Sequence, residues 1–257
     1  MDNLTIIIPV HNEEKRIRPC LDRILDYMNH CKIDYEIIIA EDGSTDHTVD
    51  IAREYSTLNS KVIVNSSKQK LGKGRSIVNA MAIATKDIIM YIDVDLASDI
   101  SEIERMSPYL GSNDIVIGSR LIRENLDKVD RPFFRRLFSE CYSFLCQTLF
   151  MSSIKDYQCG LKMMRKNSAL INEVIPKIKS NKFAFDTDLL VHSKIHGLKV
   201  KEVAVRWEHK DYSKVNVSKQ IWCMGADLFR IWLSVQIEKL QIQKEKFNFN
   251  SIQMNLR

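Results

Sequence analysis

The sequence predicts an α/β fold with a mostly parallel central sheet, helices on both faces and an amphipathic helix at the C-terminus. Three observations carry this. Over the first half, short β-branched runs alternate with segments of helical periodicity, the pattern of a sheet built with crossover helices. Most of those runs lack polar alternation, as strands buried on both faces do. The chain of 257 residues, 45% hydrophobic with eight glycines and five prolines, is long enough to bury a core without disulfide or metal staples.

Strands are expected at residues 4–9, 35–40, 61–65, 87–93 and 114–118, the third being the least uniformly apolar. Leu21, Ile24, Leu25 and Met28 recur at helical spacing behind Pro19, which suits a first turn. Ser44 or Thr45 can cap a helix running to about Tyr55, and Ser101-x-x-Glu104 reads as a capping box for one ending near Leu110. Beyond Ile122 a charged stretch to Arg131 precedes an aromatic-rich amphipathic segment at 132–150. A strand at 160–165, helices near 167–174 and 186–196, a strand at 199–207 and a last helix from about Val217 past Leu240 complete the chain. With no internal repeat and no long linker, residues 1–245 read as one domain, and the Asn-rich residues 246–257 as a disordered tail.

The longest apolar runs, such as 6–10, are strand-sized, whereas a membrane-spanning helix needs about 20 residues. The N-terminus opens directly onto a strand without a basic segment and longer apolar run, so a cytoplasmic location is expected. Cys20, Cys31, Cys141, Cys146, Cys159 and Cys223 form no Cys-x-x-Cys pair and read as reduced packing residues. A formal charge of +5 suits an anionic small molecule, a lipid surface or nucleic acid. No zinc-finger spacing or RNP-like motif supports the last, and an acidic cluster would repel a phosphate backbone.

In an open α/β sheet, ligands sit outside the carboxyl ends of the strands. The first strand runs into His11-Asn12-Glu13-Glu14, the second into Glu41-Asp42-Gly43-Ser44-Thr45-Asp46, the fourth into Asp93-Val94-Asp95 and the fifth into Gly118-Ser119-Arg120. If the chain stays extended, Asp93 and Asp95 project to one side, close enough to share a hard divalent cation, Mg2+ or Mn2+, with a diphosphate. Without a cation their mutual repulsion is costly. A solvated turn is the alternative, and it leaves three acidic strand ends unexplained. Leu71-Gly72-Lys73-Gly74-Arg75 precedes a helix, where backbone amides favour an anion. It lacks the Gly-Lys-[Ser/Thr] ending of a Walker loop, and an ordinary loop and N-cap fits it as well. Arg120, Arg135, Arg136 and Lys214 are further phosphate candidates, because guanidinium forks bind phosphate bidentately.

These residues resemble the inverting, nucleotide-sugar-dependent glycosyltransferases of family 2, specifically the polyprenyl-phosphate (dolichyl-phosphate) hexosyltransferases, over residues 4–240. The resemblance rests on Ile8-Pro9-Val10-His11-Asn12-Glu13-Glu14, Glu41-Asp42-Gly43-Ser44-Thr45-Asp46, Asp93-Val94-Asp95, Ile117-Gly118-Ser119-Arg120 and Arg135-Arg136-Leu137-Phe138-Ser139. Asp156-Tyr157-Gln158-Cys159-Gly160-Leu161-Lys162 and Phe183-Ala184-Phe185-Asp186-Thr187-Asp188 look more like the glucosyl than the mannosyl branch. The resemblance implies a GT-A type fold, with 1–120 as the nucleotide-sugar half and 121–245 as the acceptor half. It puts Pro9, His11, Glu13 and Asp42 around the nucleoside, Ala40 beside the base, and Asp93 and Val94 on the ribose and metal side. Asp95 becomes the principal metal ligand, with Asp93 as the second. Lys214 faces the donor diphosphate, Asp156 its sugar, and Arg120, Arg135 and Ser139 the acceptor phosphate, while Lys73 of the 71–75 loop is a donor-binding candidate on the loop's own reading. Mannosyl members carry a glutamine metal ligand two residues after the second aspartate. Here that position is Ala97, so water or substrate must complete the metal shell.

The implied reaction passes a hexose, glucose favoured, from UDP- or GDP-hexose to a polyprenyl or dolichyl phosphate. Such a phosphate monoester loses its second proton near pH ~6, so the nucleophile needs no general base. A saccharide or protein hydroxyl acceptor would need one, and Asp186 or Asp188 could serve. A non-catalytic nucleotide-sugar-binding protein is a further alternative, against which Asp93, Asp95 and Arg120 argue. A lipid acceptor requires contact with the cytosolic face of a membrane. Residues 132–150 and 221–240 have the amphipathic, aromatic and basic composition for it, unless both pack on the sheet.

Overall fold

A computed structural model describes residues 3–122, 133–182, 184–208 and 217–255, with side chains described at all of these except 133–136, 217–224 and 245–255. Seven strands, β1 (Asn3–Val10), β2 (Asp34–Asp42), β3 (Val62–Ser67), β4 (Ile88–Ile92), β5 (Ile115–Ser119), β6 (Leu161–Arg165) and β7 (Val200–Ala204), form one sheet in the order β3-β2-β1-β4-β6-β5-β7. Among the described strands only β6 runs antiparallel to its neighbours, β4 and β5. Every expected strand is present. The last is shorter than the expected 199–207, because its partner β5 ends at Ser119, paired with Ala204.

The apolar strands are buried on both faces because helices cover both. Leu4, Ile6 and Ile8 of β1 and Ile37 and Ile39 of β2 pack with Ile17, Leu21, Ile24 and Met28 of α1 (Ile17–His30). On the other face α3 (Lys73–Ile83) lies against β1 and β2 and touches α6 (Phe185–Ile195). Between these, α2 (Thr48–Leu58) packs on β3 and α1, and α4 (Ile103–Met106) sits between two 3-10 turns over 100–102 and 107–111. An aromatic-rich helix, α5 (Phe133–Phe150), precedes β6.

Two expected caps are not the ones used. Asp99, rather than Ser101, caps the 100–106 segment, its carboxylate accepting from the Ser101 amide at 3.0 Å. Ser44 and Thr45 do not cap α2; Ser44 Oγ accepts from the Asn12 amide and the Thr45 amide donates to Asn12 Oδ1. Both residues are drawn to the loop after β1, and the helix starts later, at Thr48.

The chain divides into two units, Met1–Lys214 and Val215–Arg257, where the sequence reading has a single domain over 1–245. The second unit is one helix, α7 (Val217–Asn255). It continues through residues 246–255, expected as a tail, because nothing between Val217 and Asn255 breaks it: the segment holds one glycine, Gly225, and no proline. No helix among the described residues is long and apolar enough to cross a membrane.

Candidate active site

The sheet order reverses between β1 and β4, and a crevice at the carboxyl ends of strands flanking such a switch point is where α/β folds bind ligands. Here the loop after β1 is tied to the loop after β2. His11 Nδ1 lies 2.8 Å from the Asp42 carbonyl oxygen, and the Glu13 amide donates to Thr48 Oγ1 at 2.7 Å. Pro9 pairs in register with Ala40 at the end of these strands. Asn12 sits at φ 55 to make the turn. Glu41, buried, accepts from Ser66 Oγ at 2.5 Å and from the Ser44 amide.

Asp42 is 3% exposed and spends its carboxylate on the amides of Leu71 and Gly72, at 2.6 and 2.9 Å. Gly72 lies at φ 104, and a Cβ there would stand 2.3 Å from the Asn181 carbonyl, so only glycine lets the loop turn between these two anchors. The amides of Gly74 and Arg75 donate to that same carbonyl. These four backbone amides of 71–75 are thus satisfied internally, which corrects the expected amide cradle: the loop holds itself, and its side chain Lys73 reaches the site. Lys73 Nζ lies 2.6 Å from Asp93 Oδ1. Burial alone would lower its pKa, but Asp93, Asp186 and Asp95 outweigh that and hold the ammonium above its ordinary value.

The strand ends at Ile92, and residues 93–96 turn, with Leu96 at φ 47 and its amide on the Asp93 carbonyl. The extended geometry expected for Asp93-Val94-Asp95 is therefore replaced by a turn with Val94 buried in it. The charge of Asp93 still acts on Asp95. Burial and then the charge of Asp93 push Asp95 above the usual carboxylate range, while the Ala97 amide, Lys73 and Arg16 partly offset this. A Cβ on Gly160 would stand 2.0 Å from Asp93 Oδ2, so the carboxylate fills the space that Gly160 leaves on β6's leading edge. Two hard oxygen donors held together against their own repulsion suit a divalent cation. Among the described residues no group of three or more His, Cys, Asp or Glu stands ready for a metal.

Arg120, just past β5, is 14% exposed at its side chain and locked to Asp156: its amide and Nε donate to Oδ2 at 2.9 and 2.7 Å, and Nη2 to Oδ1 at 2.7 Å. Burial would lower its pKa, yet Asp156, and at longer range Asp93, raise it. The Trp207 ring lies 5.9 Å from the guanidinium carbon. Beneath the site, fully buried Lys162 bonds Asp186 at 2.6 Å and the Cys159 carbonyl at 2.7 Å, and the Tyr91 hydroxyl bonds the same carboxylate. Asp188 accepts from the amides of Lys179 and Ser180 at 2.9 Å each and lies 3.2 Å from His192 Nε2.

The structure thus brings Asp42, Lys73, Asp93 and Asp95 together at the strand ends, with the Arg120–Asp156 pair within electrostatic reach of Asp93 and with His11, Pro9 and Ala40 at the ends of β1 and β2. Ser139 lies half-buried on α5, and among the described residues no bond joins it to Arg120. Arg135 and Arg136 are on α5 at positions without described side chains; Lys214 and Phe183 lie outside the described residues. Sequence reasoning missed Arg16, Lys162 and Glu202 as parts of this set. A lysine within a buried strand and an acid alternating in β7 were the signals available.

The site is thus a mostly parallel sheet that carries two neighbouring aspartates after a strand at its switch point, with lysine and arginine around them. Residues 5–170 match the family model "Glycosyl transferase family 2", and the chain belongs to that family. It is 32% identical over 244 residues to the dolichyl-phosphate beta-glucosyltransferase of Drosophila melanogaster, covering 90% of this chain and 74% of that protein. With the enzyme of the same name from Homo sapiens the identity is 29% over 245 residues, covering 90% and 75%. Among solved structures, glucosyl-3-phosphoglycerate synthase from Mycobacterium tuberculosis, in complex with Mn2+, uridine-diphosphate and glucosyl-3-phosphoglycerate, superposes with a TM-score of 0.63 at 17% identity, covering 91% of this chain and 80% of that one. At that identity the likeness speaks for the fold.

Proposed function

We propose that this protein transfers glucose, with inversion, from UDP-glucose to a polyprenyl or dolichyl phosphate. The observation that carries the choice of acceptor is the state of the two candidate bases. Asp186 and Asp188 are 5% and 2% exposed and already bonded, to Lys162 and Tyr91 and to two backbone amides. Neither is placed to take a proton from a hydroxyl. A phosphate monoester, mostly dianionic above pH ~6, asks for none. The names of the 29–32% identical relatives support the same acceptor class and a glucosyl donor.

In this reading His11 and the Pro9–Ala40 strand ends receive the nucleoside, Asp42 holds the 71–72 loop in place beside it rather than touching it, and Arg120 receives the acceptor phosphate together with Arg135 and Ser139. Asp95 and Asp93 hold Mg2+ or Mn2+, which when bound neutralises charge on the departing diphosphate. Lys73, beside Asp93, supplies fixed positive charge for the same departing group, and the resemblance adds Lys214. The protein's own work is to aim one acceptor oxygen at the anomeric carbon and to stabilise the leaving charge.

The acceptor is a membrane lipid, and α5 supplies a surface for reaching it. Leu137, Phe138, Phe144, Leu145 and Leu149 are 38–68% exposed along this helix, with Met151 beyond its end 90% exposed. Its opposite side is anchored by Tyr142, bonded to Thr187 at 2.7 Å, and by buried Cys146. An uncovered apolar stripe behind basic residues fits the headgroup region of a cytosolic leaflet. Incubating the protein with labelled UDP- and GDP-hexoses, Mg2+ or Mn2+ and short polyprenyl phosphates tests the proposal. A lipid-extractable glucosyl product is expected from UDP-glucose. Transfer to saccharide or peptide hydroxyls, and none to the lipid phosphate, would overturn it.

A further inference from the structure

The sequence reading gives Asp156 to the donor sugar; its bonds point elsewhere. A carboxylate offers about four lone-pair positions. At Asp156, Oδ2 accepts from the Arg120 amide and Nε, and Oδ1 accepts from Arg120 Nη2 and, at 3.3 Å, from the Gln158 amide. Both oxygens are thus engaged, three of these four bonds tie them to Arg120, and the side chain is 3% exposed, an arrangement that serves the arginine rather than a sugar hydroxyl. Asp156 is itself held from behind. Glu202 of β7 accepts from the amides of Lys155 and Asp156 at 2.9 and 2.7 Å, and Glu202 pairs in register with Ile117 of β5, the strand that delivers Arg120. Glu202, the 155–156 backbone, Asp156 and Arg120 therefore form a closed loop of bonds across β5 and β7.

The pairing also decides which edge of the guanidinium is usable. Asp156 takes the Nε and Nη2 edge, and no described residue accepts from Nη1. We infer that Asp156 is a positioning residue that fixes Arg120 so that its end-on edge, Nη1 with the second Nη2 hydrogen, grips the acceptor phosphate. This rests on the proposed role of Arg120 toward that phosphate. A guanidinium held this way loses little rotamer freedom on binding, which favours acceptor affinity over the chemical step.

The test is steady-state kinetics with UDP-glucose and a short polyprenyl phosphate on the full chain, comparing wild type, Asp156→Asn, Arg120→Met and the double variant. Asp156→Asn is expected to raise the acceptor KM about tenfold or more, with the UDP-glucose KM within about twofold of wild type. Because Asp156 acts through Arg120, adding Asp156→Asn to Arg120→Met should change the acceptor KM no further. A rise in the UDP-glucose KM alone, or additive losses in the double variant, would overturn the inference. An unchanged acceptor KM in Arg120→Met would instead refute the role assigned to Arg120, a separate failure. If Asp156→Asn does not fold, Glu202→Gln, which loosens the same loop from outside, should raise the acceptor KM several-fold, and a donor-only effect there would count against the inference.

Discussion

At the scale of single residues, the site depends on where two carboxylates sit. Burial and the charge of Asp93 push Asp95 above the usual carboxylate range, a cost that a bound cation would relieve. Asp95→Ala should therefore leave the fold intact, judged by circular dichroism and thermal melting, and reduce kcat on the order of a thousandfold, the scale of several kcal/mol of charge stabilisation. Gly160→Ala probes the same point without touching a charge. Its Cβ would stand 2.0 Å from Asp93 Oδ2, so the carboxylate must move, and a displacement near 1 Å costs on the order of a hundredfold. Wild-type turnover in Gly160→Ala would mean that Asp93 has no fixed place in catalysis. The carboxylates themselves were legible as an acidic strand end. Their dependence on Gly160 was not, because Gly160 leads into β6, a strand distant in sequence that pairs antiparallel with β4.

At the scale of elements, caps and turns join the sheet to the site. Asp99 caps the segment that follows the Asp93–Leu96 turn and receives the Arg23 guanidinium of α1 at 2.8 and 2.9 Å. Burial alone would raise its pKa. The Arg23 bonds and the Ser101 amide outweigh that and hold it at about 2, against a usual 3.8. A depressed carboxyl stabilises the fold fully above its unfolded value and loses that contribution as pH falls through the folded one. Asp99→Ala should cost about 1 kcal/mol at pH 7, the value of a cap. Its side chain is 38% exposed, so the ion pair adds little beyond this. In denaturation at a series of pH values, the gap between variant and wild type should narrow as pH falls from about 4 to 2. A gap independent of pH would show that Asp99 carries no linkage. Sequence periodicity found this helix but chose Ser101 as its cap, since spacing cannot show which of two polar residues has a partner on another helix.

At the scale of the whole molecule, the proposed lipid acceptor has to be met by a chain whose described residues hold no helix long and apolar enough to cross a membrane. The exposed apolar positions of α5 give a specific expectation: the protein cosediments with anionic liposomes, less so as salt rises, because screening weakens the basic contribution. Phe144, 68% exposed, can be replaced without opening the core. Phe144→Asp should cut liposome binding severalfold and leave the melting temperature within a degree or two. Equal sedimentation of variant and wild type would move the membrane contact elsewhere on the chain. On α7, Phe229, Leu233, Ile237 and Leu240 are also 46–63% exposed, a second stripe at helical spacing.

What the sequence alone determined is local in origin: β-branched runs without polar partners demand burial on both faces, and acids placed after them must meet at one sheet edge. It also carried the ordered motifs by which the family is recognised. What only the tertiary structure decided are the pairings between distant segments: Asp156 with Arg120, Lys73 with Asp93, Asp42 with the 71–72 amides, Lys162 with Asp186. Each of these acids looked like a ligand contact in isolation. A carboxylate has few lone pairs, and whether they are spent on the protein or left for a substrate depends on which donors folding brings within 3 Å, which no spacing along the chain records.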